Sequence, residues 1–167
     1  MNTLWDDSVS EVYHIADRLY QGPAPREWGS LVERGITHVL NVAELPNRNV
    51  PSSIVEQHSP VADLQHIPDD YVFAVVSHMR SVLSDPSKLL FVHCAAGQNR
   101  SPTIAWLFLI ACGIGPDDAR NCIESNAPEA EPGHPSLVDE ELVERVVEYG
   151  KANCGGIDLV LRRGDGL

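Results

Sequence analysis

The sequence predicts a single α/β layered domain, with a central, mostly parallel sheet of about five strands flanked by helices. Three observations predict it. Short runs rich in β-branched residues alternate with helical patterns along the chain. One run, Lys88-Leu89-Leu90-Phe91-Val92-His93, is nearly continuous in apolar residues, as a strand covered on both faces should be. The 167 residues, 43% apolar and 22% charged, are enough for one core and exclude whole-chain disorder.

Residues 12–15 and 19–21 read as two short strands around Ala16-Asp17-Arg18, and Gly22-Pro23-Ala24-Pro25 then breaks the pattern. A short helix over 28–34 is stopped by Gly35, and residues 36–42 follow as a buried strand rich in Val, Ile and Thr. A polar, Pro-containing loop over 44–53 leads to a strand at 54–58. Residues 71–83 place Val72, Val75, Val76, Met79, Val82 and Leu83 on one helical face, with Asp70 as the N-cap. After the 88–93 strand, residues 102–112 are apolar almost all round, as in a core helix, and Gly113 ends it. Amphipathic helices follow at 116–125 and 137–149; the second opens on Ser136 and Asp139 at capping-box spacing and closes at Gly150. The expected organisation is an N-terminal segment 1–11, a domain 12–150 and a Gly-rich tail 151–167 with no assignable element.

Twelve Lys and Arg stand against 24 Asp and Glu, a net charge of −12. Such a field disfavours nucleic-acid and acidic-membrane partners while still permitting a local basic pocket. Ten of the acids lie in 116–148 beside only Arg120 and Arg145, the pattern of a solvated helical surface. The longest apolar run, 104–112, is too short to span a bilayer. The opening residues carry Asp6 and Asp7 and show no secretory pattern, so a cytoplasmic protein with reduced cysteines is expected. Cys94, Cys112, Cys122 and Cys154 form no CxxC pair, and the seven histidines form no HExxH; a structural metal site is not expected.

One stretch carries chemistry: His93-Cys94-Ala95-Ala96-Gly97-Gln98-Asn99-Arg100-Ser101-Pro102. It joins the most buried strand to the most buried helix, and ligands of α/β sheets bind at the carboxyl ends of strands. A turn there aims several backbone N–H groups into one concavity with a helix N-terminus behind it, which suits a phosphate dianion. The same N–H groups and dipole favour the Cys94 thiolate. Arg100 can hold two phosphate oxygens side by side, Gly97 permits the turn, and Pro102 sits near the first helical position. Ser101 Oγ is placed to donate to the Cys94 sulfur.

HCAAGQNRS resembles the HCxxGxxRS/T signature of the cysteine-dependent protein tyrosine phosphatase superfamily, and the surrounding chain is similar to its compact dual-specificity branch. Residues 15–22 and 36–42 are similar to the same branch, and the resemblance covers about 12–149. It implies a protein tyrosine phosphatase-like fold and a catalytic domain over 12–150. It implies two-step hydrolysis of phosphotyrosine and of phosphoserine or phosphothreonine, through a cysteinyl-phosphate on Cys94. Arg100 and the N–H groups of Ala95, Ala96, Gly97, Gln98 and Asn99 would bind the phosphoryl oxygens, and His93 would fix the loop, with no metal or other cofactor. A general acid is required, and the family takes it from an Asp some thirty residues before the Cys. Asp63, 31 residues before Cys94, fits, with Asp69 and Asp70 as rivals that could instead serve the helix start. Asn99 before Arg100 also occurs in relatives acting on RNA 5′ ends, so an RNA 5′-phosphatase is an alternative. A catalytically silent phosphate-binding module is another. Oxidation is expected to act at Cys94, with Cys112 and Cys122 either resolving thiols or buried apolar residues.

Overall fold

The computed structural model describes residues 9–155, 157 and 159–162. The strands are β1 (Tyr13–Ala16), β2 (Leu19–Gly22), β3 (His38–Asn41), β4 (Val55–His58) and β5 (Leu90–His93). The helices are α1 (Gly29–Glu33), α2 (Asp69–Leu83), α3 (Arg100–Ala111), α4 (Pro116–Asn126) and α5 (Glu140–Asn153). The strands form one sheet in the order β1-β2-β5-β3-β4. Among these five strands only the β1–β2 pair is antiparallel; β2–β5, β5–β3 and β3–β4 run parallel. The α/β class, the five strands and the mostly parallel pairing all follow the sequence pattern.

Alternation along the strands assigns the two faces of the sheet. Leu19, Leu40, Leu90 and Val92 enter the large core shared with α2, α3, α4 and α5. Tyr20, Val39 and Phe91, each one residue out of phase, enter a smaller cluster with Leu31 of α1 and with Ile36 and Ile54. Every residue of α3 is buried, and α2, α4 and α5 all pack against it. A helix enclosed in this way has no polar face to offer solvent, which explains its continuous apolar run.

Several boundaries differ from those read off the sequence. Asp70 is not an N-cap: Pro68 holds that position, and Asp69 and Asp70 both lie in the first turn of α2, where carboxylates favour the helix dipole. α3 starts at Arg100, two residues before the expected start, so the signature loop runs straight into it. α5 starts at Glu140 with Asp139 as its cap, the Asp139 side chain accepting from Leu142 N at 2.8 Å. Ser136 instead bonds His134 Nδ1 at 2.7 Å, and no capping box forms.

Gly150 does not end α5, which continues to Asn153. A Cβ there would stand 2.1 Å from the Ala111 carbonyl oxygen, so the glycine lets α5 cross the end of α3 at backbone distance. Part of the unassigned tail also acquires a place. Leu161 bridges Ala16 antiparallel, Asp17 N donates to Val160 O at 2.8 Å, and Arg162 N donates to Ile15 O at 3.1 Å. The tail therefore pairs with the outer edge of β1.

Candidate active site

The parallel register aligns the carboxyl ends of four strands: Gly22 is level with His93, His93 with Asn41, and Asn41 with His58. The loops leaving these strands converge on one corner, and Cys94 is the first residue beyond β5. Its sulfur is buried, with Cys94 2% exposed, beneath a rim formed by the exposed Ala95, Ala96 and Gln98. Gly97 N donates to Cys94 Sγ at 3.2 Å, and Ser101 Oγ lies 3.2 Å from the same sulfur. One backbone and one hydroxyl group thus converge on the thiol.

The turn depends on Gly97. Its φ is 73°, and a Cβ would meet Pro23 N at 2.5 Å and Gly22 C at 2.7 Å. The loop is braced from outside as well. Ala24 N donates to Ala95 O at 3.0 Å, Glu131 N to Gln98 O at 2.7 Å, and Gln98 Nε2 to Glu129 Oε2 at 3.2 Å.

Arg100 is 6% exposed and collects three partners from two loops. Nη1 donates to Val61 O at 3.2 Å and lies 3.5 Å from Glu44 Oε1, while Nε lies 3.7 Å from Asp63 Oδ1. Of the three candidate acids, then, Asp63 is the one beside Arg100. Asp69 is taken by Arg145, 2.5 Å away, on the flank of α2 and α5. The next residue, Leu64, has φ 54° and donates its N–H to Asp63 Oδ1 at 3.0 Å, a local turn that fixes the Asp63 side chain.

His93 is fully buried, and its two ring nitrogens have different partners. Asn47 Nδ2 can only donate, so Nε2, 2.8 Å away, accepts; Nδ1 then carries the proton and donates to Cys94 O at 3.0 Å. Burial, aided by the nearby His58, pulls the imidazole down to about 4 against the opposing bond to the Cys94 carbonyl. The ring is therefore neutral at pH 7 and works as a brace.

Four participants escape sequence reasoning: Gln21, Asn41, Glu44 and Asn47. Asn41 is fully buried at the end of β3; its Oδ1 accepts from Ala43 N and its Nδ2 donates to Leu45 O, each at 2.9 Å. That shapes the loop carrying Glu44 and Asn47. A cleft of about 700 Å³ opens beside this corner, lined among others by Trp28, Glu44, Asn47, His93, Ala95 and Arg100.

Neither proposed resolving thiol is near Cys94. Cys112 lies at the far end of α3, a 12-residue helix about 18 Å long, beyond the roughly 7 Å Cα limit of a disulfide. Cys122 Sγ donates to Ile15 O at 3.1 Å on the β1 side of α4, and burial raises both thiols.

The model of the family described as dual specificity phosphatase, catalytic domain matches residues 19–134 of this chain. The chain belongs to that family. The match spans β2 to the turn before α5 and so includes the whole corner around Cys94 and Arg100. Mouse dual specificity protein phosphatase 14 is 32% identical over 108 residues, covering 63% of this chain and 54% of the relative. Human dual specificity protein phosphatase 13B is 30% identical over 122 residues, covering 65% of this chain and 62% of the relative. The matched region thus spans somewhat over half the length of these relatives. The fold is similar to that of human DUSP28, with a TM-score of 0.67 at 22% identity, covering 84% of this chain and 93% of the other. It is also similar to DUSP15, with a TM-score of 0.68 at 22% identity, covering 86% and 90%. Among the described residues no helix is long and apolar enough to cross a membrane.

Proposed function

We propose that the chain is a protein phosphatase that hydrolyses phosphotyrosine and phosphoserine or phosphothreonine monoesters. The observation that carries this reading is the convergence of Gly97 N and Ser101 Oγ on Cys94 Sγ, with Arg100 of the same turn beside Asp63. The names of the relatives, dual specificity protein phosphatases, support it.

Cys94 is the nucleophile. Its thiolate attacks phosphorus, forming the S–P bond as the ester P–O bond breaks, and the Asp63 carboxyl gives its proton to the leaving oxygen. Water then attacks phosphorus, the Asp63 carboxylate takes its proton, and the S–P bond breaks to return thiolate and inorganic phosphate. Arg100 and the N–H groups of Ala95, Ala96, Gly97, Gln98 and Asn99 bind the equatorial oxygens through both steps. For this the phosphoryl group replaces Glu44 and Asp63 as the partner of the guanidinium, a bidentate exchange that Arg geometry permits. Ser101 stabilises the sulfur when it departs, and His93 holds the turn. The chemistry needs a reduced thiol, which suits the cytoplasm.

A panel of substrates tests the reading. Purified protein is expected to release phosphate from a phosphotyrosine peptide and a phosphothreonine peptide faster than from triphosphate-ended RNA, since a charge of −12 gives polyanions little attraction. Faster turnover of the RNA would replace this reading with the RNA 5′-phosphatase, and no turnover of any substrate would leave a binding module.

A further inference from the structure

Ser101 has one hydroxyl hydrogen and three acceptors within reach. Its Oγ is 2.8 Å from Gln21 Oε1, 3.2 Å from Gly22 O and 3.2 Å from Cys94 Sγ. The hydrogen cannot serve the sulfur while it serves Gln21. Gln21 itself is a polar side chain with no exposure, in the middle of the sheet, and its Nε2 is buried without a hydrogen-bond partner among the described residues. An orphaned donor of this kind is costly, since it gives up its bond to water and gains none in return.

Both features resolve together if the amide turns over. In the observed orientation the chain of bonds suits a protonated thiol: Cys94 S–H to Ser101 Oγ, and Ser101 O–H to Gln21 Oε1. With the amide reversed, Nε2–H donates to Ser101 Oγ, which frees the hydroxyl hydrogen to point at an ionised sulfur. The orphan then becomes a carbonyl oxygen, which proteins tolerate buried more readily than an N–H.

We propose that Gln21 is a positioning residue for the nucleophile: its amide reverses as Cys94 ionises and donates, through Ser101, to the thiolate. This rests on Cys94 acting as the nucleophile. Gln21 touches neither substrate nor sulfur, and it lies 73 residues before Cys94, outside the signature. The charged and titratable groups at this corner are His93 on β5, Arg100 on α3, and the Glu44 and Asp63 carboxylates beside Arg100. β2 brings the uncharged Gln21 and Gly22 to this side, while Tyr20 enters the cluster on the opposite face.

The test compares wild type with Gln21→Met, which keeps length but cannot hydrogen-bond, and Gln21→Glu, whose carboxylate only accepts. The readout is the pH midpoint of Cys94 alkylation by iodoacetamide, located by peptide mass spectrometry. Met is expected to raise the midpoint by about half to one pH unit, the equivalent of one hydrogen bond, and Glu by more. Adding Gln21→Met to Ser101→Ala is expected to produce no further shift, because the effect runs through the hydroxyl. Folded variants with the wild-type midpoint would overturn the proposal.

A measurement on the unaltered protein covers the case of variants that fail to fold. The side-chain NH₂ resonances of ¹⁵N-labelled Gln21 are expected to move with the midpoint of Cys94 alkylation, and resonances indifferent to that midpoint would also overturn it. Wild type that fails to hydrolyse para-nitrophenyl phosphate would instead remove the phosphatase reading, whereas active wild type with an indifferent Gln21 removes only this inference.

Discussion

Arg100 meets two carboxylates from different loops, and they do not play the same part. Glu44 is largely exposed and lies on the cleft wall, whereas Asp63 sits in a turn closed by its own bond to Leu64 N. In the proposed mechanism, a loop carboxylate beside Arg100 is where a departing ester oxygen needs its proton. Asp63→Ala is therefore expected to lower kcat about 10²- to 10³-fold on an alkyl phosphate and to flatten the basic limb of the pH–rate profile. The loss should be smaller on para-nitrophenyl phosphate, whose leaving group needs less help. Inorganic phosphate should inhibit at least as well as in wild type, because the variant removes a carboxylate that competes for Arg100. Steady-state kinetics across pH checks this, and an unchanged profile would move the acid to another carboxylate, with Glu44 next in position.

At the scale of elements, Gly150 sets two effects against each other. Helix propensity alone makes Gly150→Ala stabilising by about 1 kcal/mol. The new Cβ, however, would fall 2.1 Å from Ala111 O and 2.7 Å from Ala111 C, both backbone atoms that cannot swing away. Overpacking of that kind costs about 1–3 kcal/mol or more, so packing wins and the variant is expected to be destabilised by that order in urea denaturation. A more stable variant would show that α5 can retreat from α3 at no cost. The same position marks what sequence can tell. HCAAGQNRS is a local signal, and its strand, turn and helix are legible because adjacent residues build them. Gly150 reads as a helix stop because its real partner, the Ala111 backbone, is 39 positions away. Asp70 and Ser136 look like caps because capping types recur within a few residues, and only the fold selects Pro68 and Asp139. The family resemblance pointed to Asp63, which the fold puts beside Arg100, while Glu44, Asn47 and Gln21 reach the corner only through parallel strand register.

For the whole molecule, the buried imidazole of His93 ties stability to pH. The folded state holds the ring at about 4, below the usual 6.5, because burial disfavours its charged form. Between those values the unfolded chain binds a proton that the folded chain does not. Stability contributed by the neutral ring is thus present above pH 6.5, falls as pH drops toward 4, and levels off below. The full span is worth roughly 3 kcal/mol. Chemical denaturation of wild type and His93→Asn between pH 7 and 4 should give curves that converge as pH falls, the wild type losing more; parallel curves would mean that the ring takes up its proton alike in the folded and unfolded protein. The neutral ring also keeps Asn47, β5 and the turn after it in one arrangement, so acid weakening of the fold and loosening of the catalytic corner are expected together.

In the proposed mechanism, strands, glycine turn, enclosed helix and neutral histidine together present one sulfur to one phosphoryl group. Rapid acid quenching during turnover of para-nitrophenyl phosphate, followed by peptide mass spectrometry, tests that claim most directly. A phosphoryl group on the peptide containing Cys94, absent from Cys94→Ser, which should also show no turnover, is the expected result. Undiminished hydrolysis by Cys94→Ser, or a phosphoryl group carried by any other residue, would contradict it.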